Sequence, residues 1–385
     1  QFPAAHLEYE DEELPVRQVA WEQQLREQPA TRPAALSEGL VAHFPLDEID
    51  GVKTANAVDR QAGGVYHGTA DPDLIPGVVG SALRLSGTGG YIDCGQVFQP
   101  ERNAPFSFGC WFLIEPDNRR GVLFGKFDNH ERRGFAVNIE PASGNVLCEW
   151  SHRFPASTLI VTATADELAG RWRHLVVNYD GSASAEGVEI YLDGQSIATK
   201  VTADRLTDTI QTAKSAQIGR RDTSYSFGGN IDEVRIYDRL LDPKEVLQLY
   251  ETGVCTLVEI PAKQRTSDLK ALLAAFYRPL DEPLERLENQ LAAREAALQD
   301  ARRSALRRWY VNSQGQTMAV IENMPKDGDR GITYSFAICD HEVTLAEFRR
   351  FRGNPPRPGD TRKIDCPANA INWYTAAEYC NWLSK

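Results

Sequence analysis

Between residues 38 and 251 the sequence repeats one device, a short run of β-type residues followed by a Gly, Asp or Asn turn. The runs include 40–45, 82–85, 106–114, 121–126, 135–139, 172–179, 188–192, 216–218 and 231–237. Runs of this length, at this spacing, predict an all-β sandwich. The clearest hairpin is 188–198, where Asp193-Gly194 supplies the positive-φ pair that a tight turn demands. Asp242-Pro243 then opens a short helix, 243–250, with Pro at its first position.

The flanks read differently. At about 150 residues per domain, 385 residues suggest two or three domains. Residues 1–37 are polar and acidic, with one helical stretch, 15–27, whose apolar stripe (Val16, Val19, Ala20, Leu25) is weak. Pro29 and Pro33 follow, so the segment reads as a connector. Residues 252–308 form a helical spacer. Leu280, Leu284, Leu287, Leu291 and Leu298 follow a heptad pattern, and Pro279 and Pro283 separate them from a shorter helix at 267–277. The spacing fits a helical hairpin, a short coiled coil, or a helix packed on a neighbouring domain. Residues 309–385 begin a third unit. Strands at 317–321 and 334–338 lead to a helix at 344–351, a Pro-rich loop at 354–360 and a helix at 375–383, an α+β order. Thr375, with Glu378 three residues on, reads as a capping box.

Charge and cysteines narrow the chemistry. Lys+Arg 42 against Asp+Glu 54 leaves −12, which argues against a general nucleic-acid binder and against docking on anionic lipid. No apolar run reaches the roughly 18 residues of a membrane helix. The sequence starts at Gln1 and stops at Lys385 inside a helical stretch, so a fragment of a longer protein is expected. The seven cysteines are scattered, odd in number and without a CxxC, which favours buried thiols over a disulfide framework or a metal finger.

Four blocks of the β region resemble the laminin-G-like or concanavalin-A-like jelly-roll family, including its pentraxin branch. They are Leu83-Arg-Leu-Ser-Gly87 with Tyr91-Ile-Asp-Cys-Gly95; Phe106-Ser-Phe-Gly-Cys-Trp111-Phe; the stretch from Trp172 to Gly181 with Ile190-Tyr-Leu-Asp-Gly194; and Ile218-Gly219 with Phe227 to Tyr237, leading into Leu241-Asp-Pro-Lys-Glu245. Trp111 and Trp172 suit the space between two sheets. The resemblance implies a glycan or protein ligand. In the pentraxin branch an Asp-Asn pair and a second acidic cluster hold calcium. Asp128-Asn129 matches the pair and Asp222 part of the cluster, so these three are the candidate calcium ligands. Arg220 and Arg221 stand where further oxygen ligands are expected and would repel the ion. A glycosidase of this fold needs paired carboxylates on one strand; Glu186 and Glu189 are better explained by an exposed strand edge.

The third unit resembles the start of the formylglycine-generating enzyme, or sulfatase-modifying factor, family, a fold related to the C-type-lectin-like one. Gln316–Glu322, Phe336-Ala-Ile-Cys-Asp-His-Glu-Val-Thr344-Leu-Ala-Glu-Phe348 and Pro367–Leu383, with its Tyr-Cys-Asn-Trp-Leu ending, carry the match. Leu345 and Ala368 depart from it. In that family a late cysteine pair binds copper and supports oxidation of a substrate cysteine; the stretch carrying the pair would lie beyond these residues. Cys380 falls in a structural block, and Cys339 and Cys366 match no catalytic position, so no catalytic residue is assigned. Related sulfoxide synthases hold iron with histidines, but His341 has no second histidine at ligand spacing in the unit. The stretch 257–266, followed by Phe276-Tyr277, resembles spacers in large planctomycete-type bacterial proteins. Together the resemblances imply an extracytoplasmic multidomain protein, of the periplasm, the cell envelope or the cell exterior. Its jelly roll would bind glycan or protein, and its third domain would have formylglycine-generating oxidase activity when complete. The alternative is an adhesive scaffold in which both folds only bind.

Overall fold

The computed structural model describes residues 13–27, 36–118, 120–305, 309–321, 336–353, 368 and 371–383. The chain divides into two compact units between Glu285 and Arg286.

The first unit is a β-sandwich. One sheet has the strand order Gln195–Ser196, Val188–Leu192, Arg173–Tyr179, Phe106–Leu113, Gly228–Tyr237, Ser81–Ser86 and Asp73–Pro76; Leu40–Phe44 also pairs with Gly228–Tyr237. The other runs Thr199–Asp204, Ser157–Thr164, Asn145–Arg153, Arg133–Glu140, Gly121–Asp128, Gln217–Ile218, Tyr91–Asp93, Gly64–His67, Lys53–Thr54 and Ile49–Asp50. All the pairings are antiparallel. Period-2 alternation sends Phe106, Phe108, Cys110 and Phe112 of one sheet against Phe124, Phe135, Val137, Cys148 and Trp150 of the other. Burying each such large side chain is worth about 1.5–3 kcal/mol. The hairpin turn is as expected: Asp193 and Gly194 have φ of 50° and 79°, and Leu192 pairs with Gln195.

Trp111 and Trp172 do not lie between the sheets. They point to the opposite side of the first sheet, where they join Val78, Ala82 and Leu113 under a helical layer. The strand 106–113 is buried on both faces, with large apolar side chains on each, so the sequence alone did not mark its inner side. The layer is built from helices α1 (Leu14–Glu27), α2 (Pro243–Thr256) and α3 (Ser267–Tyr277). Val254, Leu257, Val258, Leu269, Leu272 and Leu273 are buried there, with Trp21 and Leu25 of α1 packed against them. Helix α2 starts at a capping box of Asp242 and Glu245 with Pro243 at its first turn. It lies close to the sheet because residue 253 is Gly: a Cβ there would come within 2.6 Å of the Trp111 ring. Arg17 holds Asp281 at 2.8 and 2.9 Å, and Glu22 pairs with Arg265 at 2.7 Å. The N-terminal helix and the first spacer helix therefore belong to the sandwich unit, which extends beyond the 38–251 span.

Helix α4 (Glu282–Ala305) covers the heptad stretch except Leu280, which lies in the 3-10 turn before it; Leu280 and Leu298 are exposed. The second unit has a three-stranded antiparallel sheet, Trp309–Val311, Thr317–Ile321 and Phe336–Cys339, and helices α5 (Leu345–Phe351) and α6 (Trp373–Leu383). The helices meet through Phe351, Tyr379 and Trp382, with ring centroids 5.5–5.8 Å apart. Thr344 and Glu347 form the capping box of α5. At α6 the side chain of Asn372, not that of Thr375, accepts a first-turn N–H, that of Thr375. Cys366 lies outside the described residues.

Candidate functional site

The outer face of the ten-stranded sheet carries a cleft of about 180 Å³, lined by Arg120, Phe127, Asn129, Arg132, Leu147, Glu149, Phe154, Ile160, Arg221 and Tyr225. Its floor follows from strand alternation. Cys148, Trp150, Leu159 and Val161 face the core, so Leu147, Glu149 and Ile160 face outward, with Ile160 directly across from Glu149. The walls come from four separated segments: Arg120 just before the strand Gly121–Asp128, 129–132 just after it, the turn at Phe154, and 220–225.

Each arginine of the cleft lies over an aromatic ring. Arg221 lies 4.4 Å from the Phe127 centroid and 4.8 Å from that of Tyr225; Arg120 is 5.0 Å from Tyr225, and Arg132 is 4.2 Å from Phe154. Such stacking suits the planar guanidinium and holds it without neutralising it. Arg221 also pairs with Glu149 at 2.8 Å, and its Nε has no hydrogen-bond partner. Burial pulls its guanidinium below the usual arginine range, and Glu149 works in the opposite direction. Arg120 reaches Glu140 at 3.2 Å and Asn138 at 3.1 Å. Arg132 is exposed and has no carboxylate partner among the described residues. The lining thus has three guanidinium groups and one carboxylate, in a chain of net charge −12.

The candidate calcium residues meet at the edge of this cleft. Asn129 donates its backbone N–H to Asp222 Oδ2 at 3.0 Å, and its side-chain amide donates to Arg221 O and Ser224 Oγ at 3.2 and 2.9 Å. The other Asp222 oxygen takes Lys214 Nζ at 3.1 Å. Asp128 Oδ1 accepts the N–H groups of His130 and Glu131. Its slight burial opposes ionisation, yet those two donors hold its carboxyl below the usual range. Calcium takes six to eight oxygens, free to turn toward the ion. Here the carboxylates are engaged with a lysine and with backbone donors, and arginines flank them. This donor set does not fit calcium. The same residues instead pin the 221–225 turn, which places Arg221 and Tyr225 with Asp222 and Tyr225 at φ of 48° and 57°. Sequence reasoning found this loop through Asp222 and Arg221. It missed Arg120, Arg132, Phe127, Phe154 and Tyr225, which are brought together only by the fold.

Cys94, Cys110 and Cys148 are buried, and burial pushes all three thiols up. Among the described residues no helix is long and apolar enough to cross a membrane.

Comparison with a family model agrees on the fold. Residues 86–247 match a family model described as the concanavalin A-like lectin/glucanases superfamily. Similar solved structures include the binding domain of Paraclostridial mosquitocidal protein 1 (14% identity, 56% of this chain and 52% of that one, TM-score 0.44). Domain 4 of a Geobacillus stearothermophilus extracellular arabinanase, solved with arabinotriose, is 20% identical over 56% of this chain and 100% of that one, with a TM-score of 0.39. Trypanosoma rangeli sialidase is 14% identical over 61% of this chain and 37% of that one, with a TM-score of 0.43. The chain thus spans about half the length of the mosquitocidal domain. The resemblance of 309–385 to formylglycine-generating enzymes rests on its sequence motifs alone. Residues 86–247 thus form a concanavalin A-like jelly-roll domain.

Proposed function

We propose that the jelly roll is a recognition module and that its cleft takes an acidic saccharide, a sugar ring bearing a carboxylate or sulfate group. The observation that carries this reading is the set of three arginines held on aromatic faces, of which Arg221 and Arg120 reach Glu149 and Glu140 while Arg132 has no carboxylate partner among the described residues. A guanidinium fork matches carboxylate and sulfate oxygens in pairs, and the exposed edge of Tyr225 offers an amphipathic surface to a sugar ring. At about 180 Å³ the cleft is smaller than the ~300–1,000 Å³ of drug-sized sites, so it suits one ring or its acidic substituent, with the rest of the polymer running over the sheet. The lectin side of the superfamily description supports the sugar class.

The test is calorimetric titration of the full chain with polygalacturonate and with a sulfated glycosaminoglycan, against a neutral arabinan. Binding to an acidic polymer is expected, weakened by added salt and by Arg132→Ala. Equal binding of the neutral polymer, or no heat with either acidic one, sinks the reading.

A further inference from the structure

The second unit holds a cluster that its family resemblance does not use. At the end of strand Phe336–Cys339 the chain bends, and Cys339 Sγ, Asp340 Oδ1 and His341 Nδ1 converge, all within 4.8 Å of one another. The separations are 3.6 Å from sulfur to nitrogen, 3.9 Å from sulfur to the carboxylate and 2.6 Å from nitrogen to the carboxylate. A tetrahedral ion bound through one S, one N and one O, with bonds of about 2.0–2.3 Å, has ligand–ligand edges of about 3.3–3.6 Å. Two of the three edges are therefore close to those values. The third is the hydrogen bond that a metal would replace, by taking the place of the proton on Nδ1.

The far side of the imidazole is also arranged. His341 Nε2 lies 3.1 Å from Glu347 Oε1. Glu347 is itself fixed: its Oε2 accepts from the Thr344 N–H and hydroxyl at 2.8 and 2.9 Å, and Gln316 Nε2 donates to its Oε1 at 2.9 Å. A carboxylate on the outer nitrogen of a ligating histidine sets its tautomer and ring orientation. The strand end is fixed in turn by the pairing of Cys339 with Met318 and by the Asp340 N–H to Thr317 O bond of 3.1 Å.

We infer that Cys339, Asp340 and His341 form a binding site for a divalent transition ion of the zinc class, with Glu347 as the positioning residue behind the histidine. One thiolate, one imidazole and one carboxylate suit zinc or cobalt and not calcium or magnesium. The three ligands leave a fourth position toward solvent, since Asp340 and His341 are exposed and Cys339 is half-buried. This is the coordination of an open site, which takes water or an incoming donor. The lone histidine of this unit thus lacks a second histidine but has two other ligand types at contact distance.

The experiment is titration of the metal-free full chain with cobalt(II), read by the near-ultraviolet absorption of a thiolate–cobalt bond. One equivalent is expected to raise that band, and zinc to abolish it by displacement. Cys339→Ser is expected to remove the band while circular dichroism stays unchanged, since the residue is half-buried and the change is conservative. His341→Gln is expected to weaken cobalt binding at least tenfold, and Glu347→Gln by about 10–100-fold. A wild-type chain without the band, or a band that survives in Cys339→Ser, overturns the assignment. So does unchanged affinity in His341→Gln, which would leave His341 as an ionic clasp between Asp340 and Glu347.

Discussion

The two outer faces of the sandwich differ in what covers them. The central part of the eight-stranded sheet's face lies under α1, α2 and α3, so Trp111, Leu113, Trp172 and Ala82 there are as buried as side chains between the sheets. Trp111 packs on Tyr250 and His174 with ring centroids 5.5 and 4.9 Å away, and polar groups are enclosed with it. His174 Nδ1 has no hydrogen-bond partner. Asp232 accepts the N–H groups of Val78 and Val79 on one oxygen and nothing on the other, and burial, with Glu233 beside it, pushes its carboxyl well up. Glu233 is matched by His43 at 2.9 Å and by Arg235 at 3.1 Å. The opposite face has a three-residue apolar cluster, Val122, Phe127 and Ala136, and the arginine cleft. One sheet side serves stability and the other presents charge on rings, the division expected of the recognition module proposed above.

Two substitutions test the covered face hardest. Trp111→Ala should cost roughly 3–5 kcal/mol in chemical denaturation, since the ring is fully buried beneath two helices. A loss under about 1 kcal/mol would mean the helical layer does not depend on this ring. The pH dependence comes next. Burial, with Arg235 adding to it and Glu233 opposing, brings His174 from 6.5 down to about 3. The unfolded chain therefore takes up a proton below pH 6.5 that the folded chain refuses. Stability from this group is complete above pH 6.5 and is lost as pH falls toward 3. By pH 4.5 the loss should reach about 2–3 kcal/mol. His174→Leu should remove that part of the acid slope, whatever it does at pH 7. Parallel pH profiles for variant and wild type would place His174 in contact with water.

How much of this was legible follows the same division. The strands singled out were readable from their runs and turns, and Asp193-Gly194 fixes its hairpin by local chemistry, but the inner side of 106–113 was not: Trp111 was expected between the sheets, where the alternate set Phe106, Phe108, Cys110 and Phe112 lies. The strands Asn145–Arg153 and Ser157–Thr164 were not among the runs singled out, because Glu149, Ser151, Thr158 and Thr162 interrupt the apolar pattern. Their alternation was present all the same, with Val146, Cys148 and Trp150 turned inward. The helical cover could not be read, since Trp111 reveals its side only when α2 and α3 are placed on it. The cleft was half legible. Arg221 was noticed as an obstacle to calcium, and that obstacle is the site's own chemistry; Arg120 and Arg132 come from other loops that only the fold brings together.

Gly253→Ala sharpens the comparison at smaller scale. Alanine is the better helix former by about 1 kcal/mol, yet its methyl group would meet the Trp111 ring at 2.6 Å, far inside contact distance. The clash should win, with a net loss of about 1–3 kcal/mol in chemical denaturation. A stabilised variant would show that α2 can lift off the sheet without cost. On the bare face the expected stability effects nearly vanish. Arg132→Ala should shift stability by less than about 0.5 kcal/mol, because the side chain is exposed and stacks on one ring, while it reduces binding of acidic polysaccharide. A large stability loss with binding intact would assign the cleft to the fold and not to a ligand.

The smallest expected effect is that of calcium. Both oxygens of Asp222 are engaged, one with Lys214 and the other with the Asn129 N–H. An ion entering there must displace the ammonium group and face Arg221, and the three candidate residues together supply fewer donors than the six to eight that calcium takes. Thermal unfolding should therefore be unchanged by millimolar calcium, in the wild type and in Asp222→Asn alike. A rise in the wild type that Asp222→Asn abolishes would mean that Lys214 gives way and that the loop is a cation site. The arginines beside it would then have to turn outward, and the charge contrast between the two faces of the sandwich would weaken. An unchanged transition leaves Asp222 with the role its contacts describe, fixing the turn that carries Arg221 and Tyr225 into the cleft.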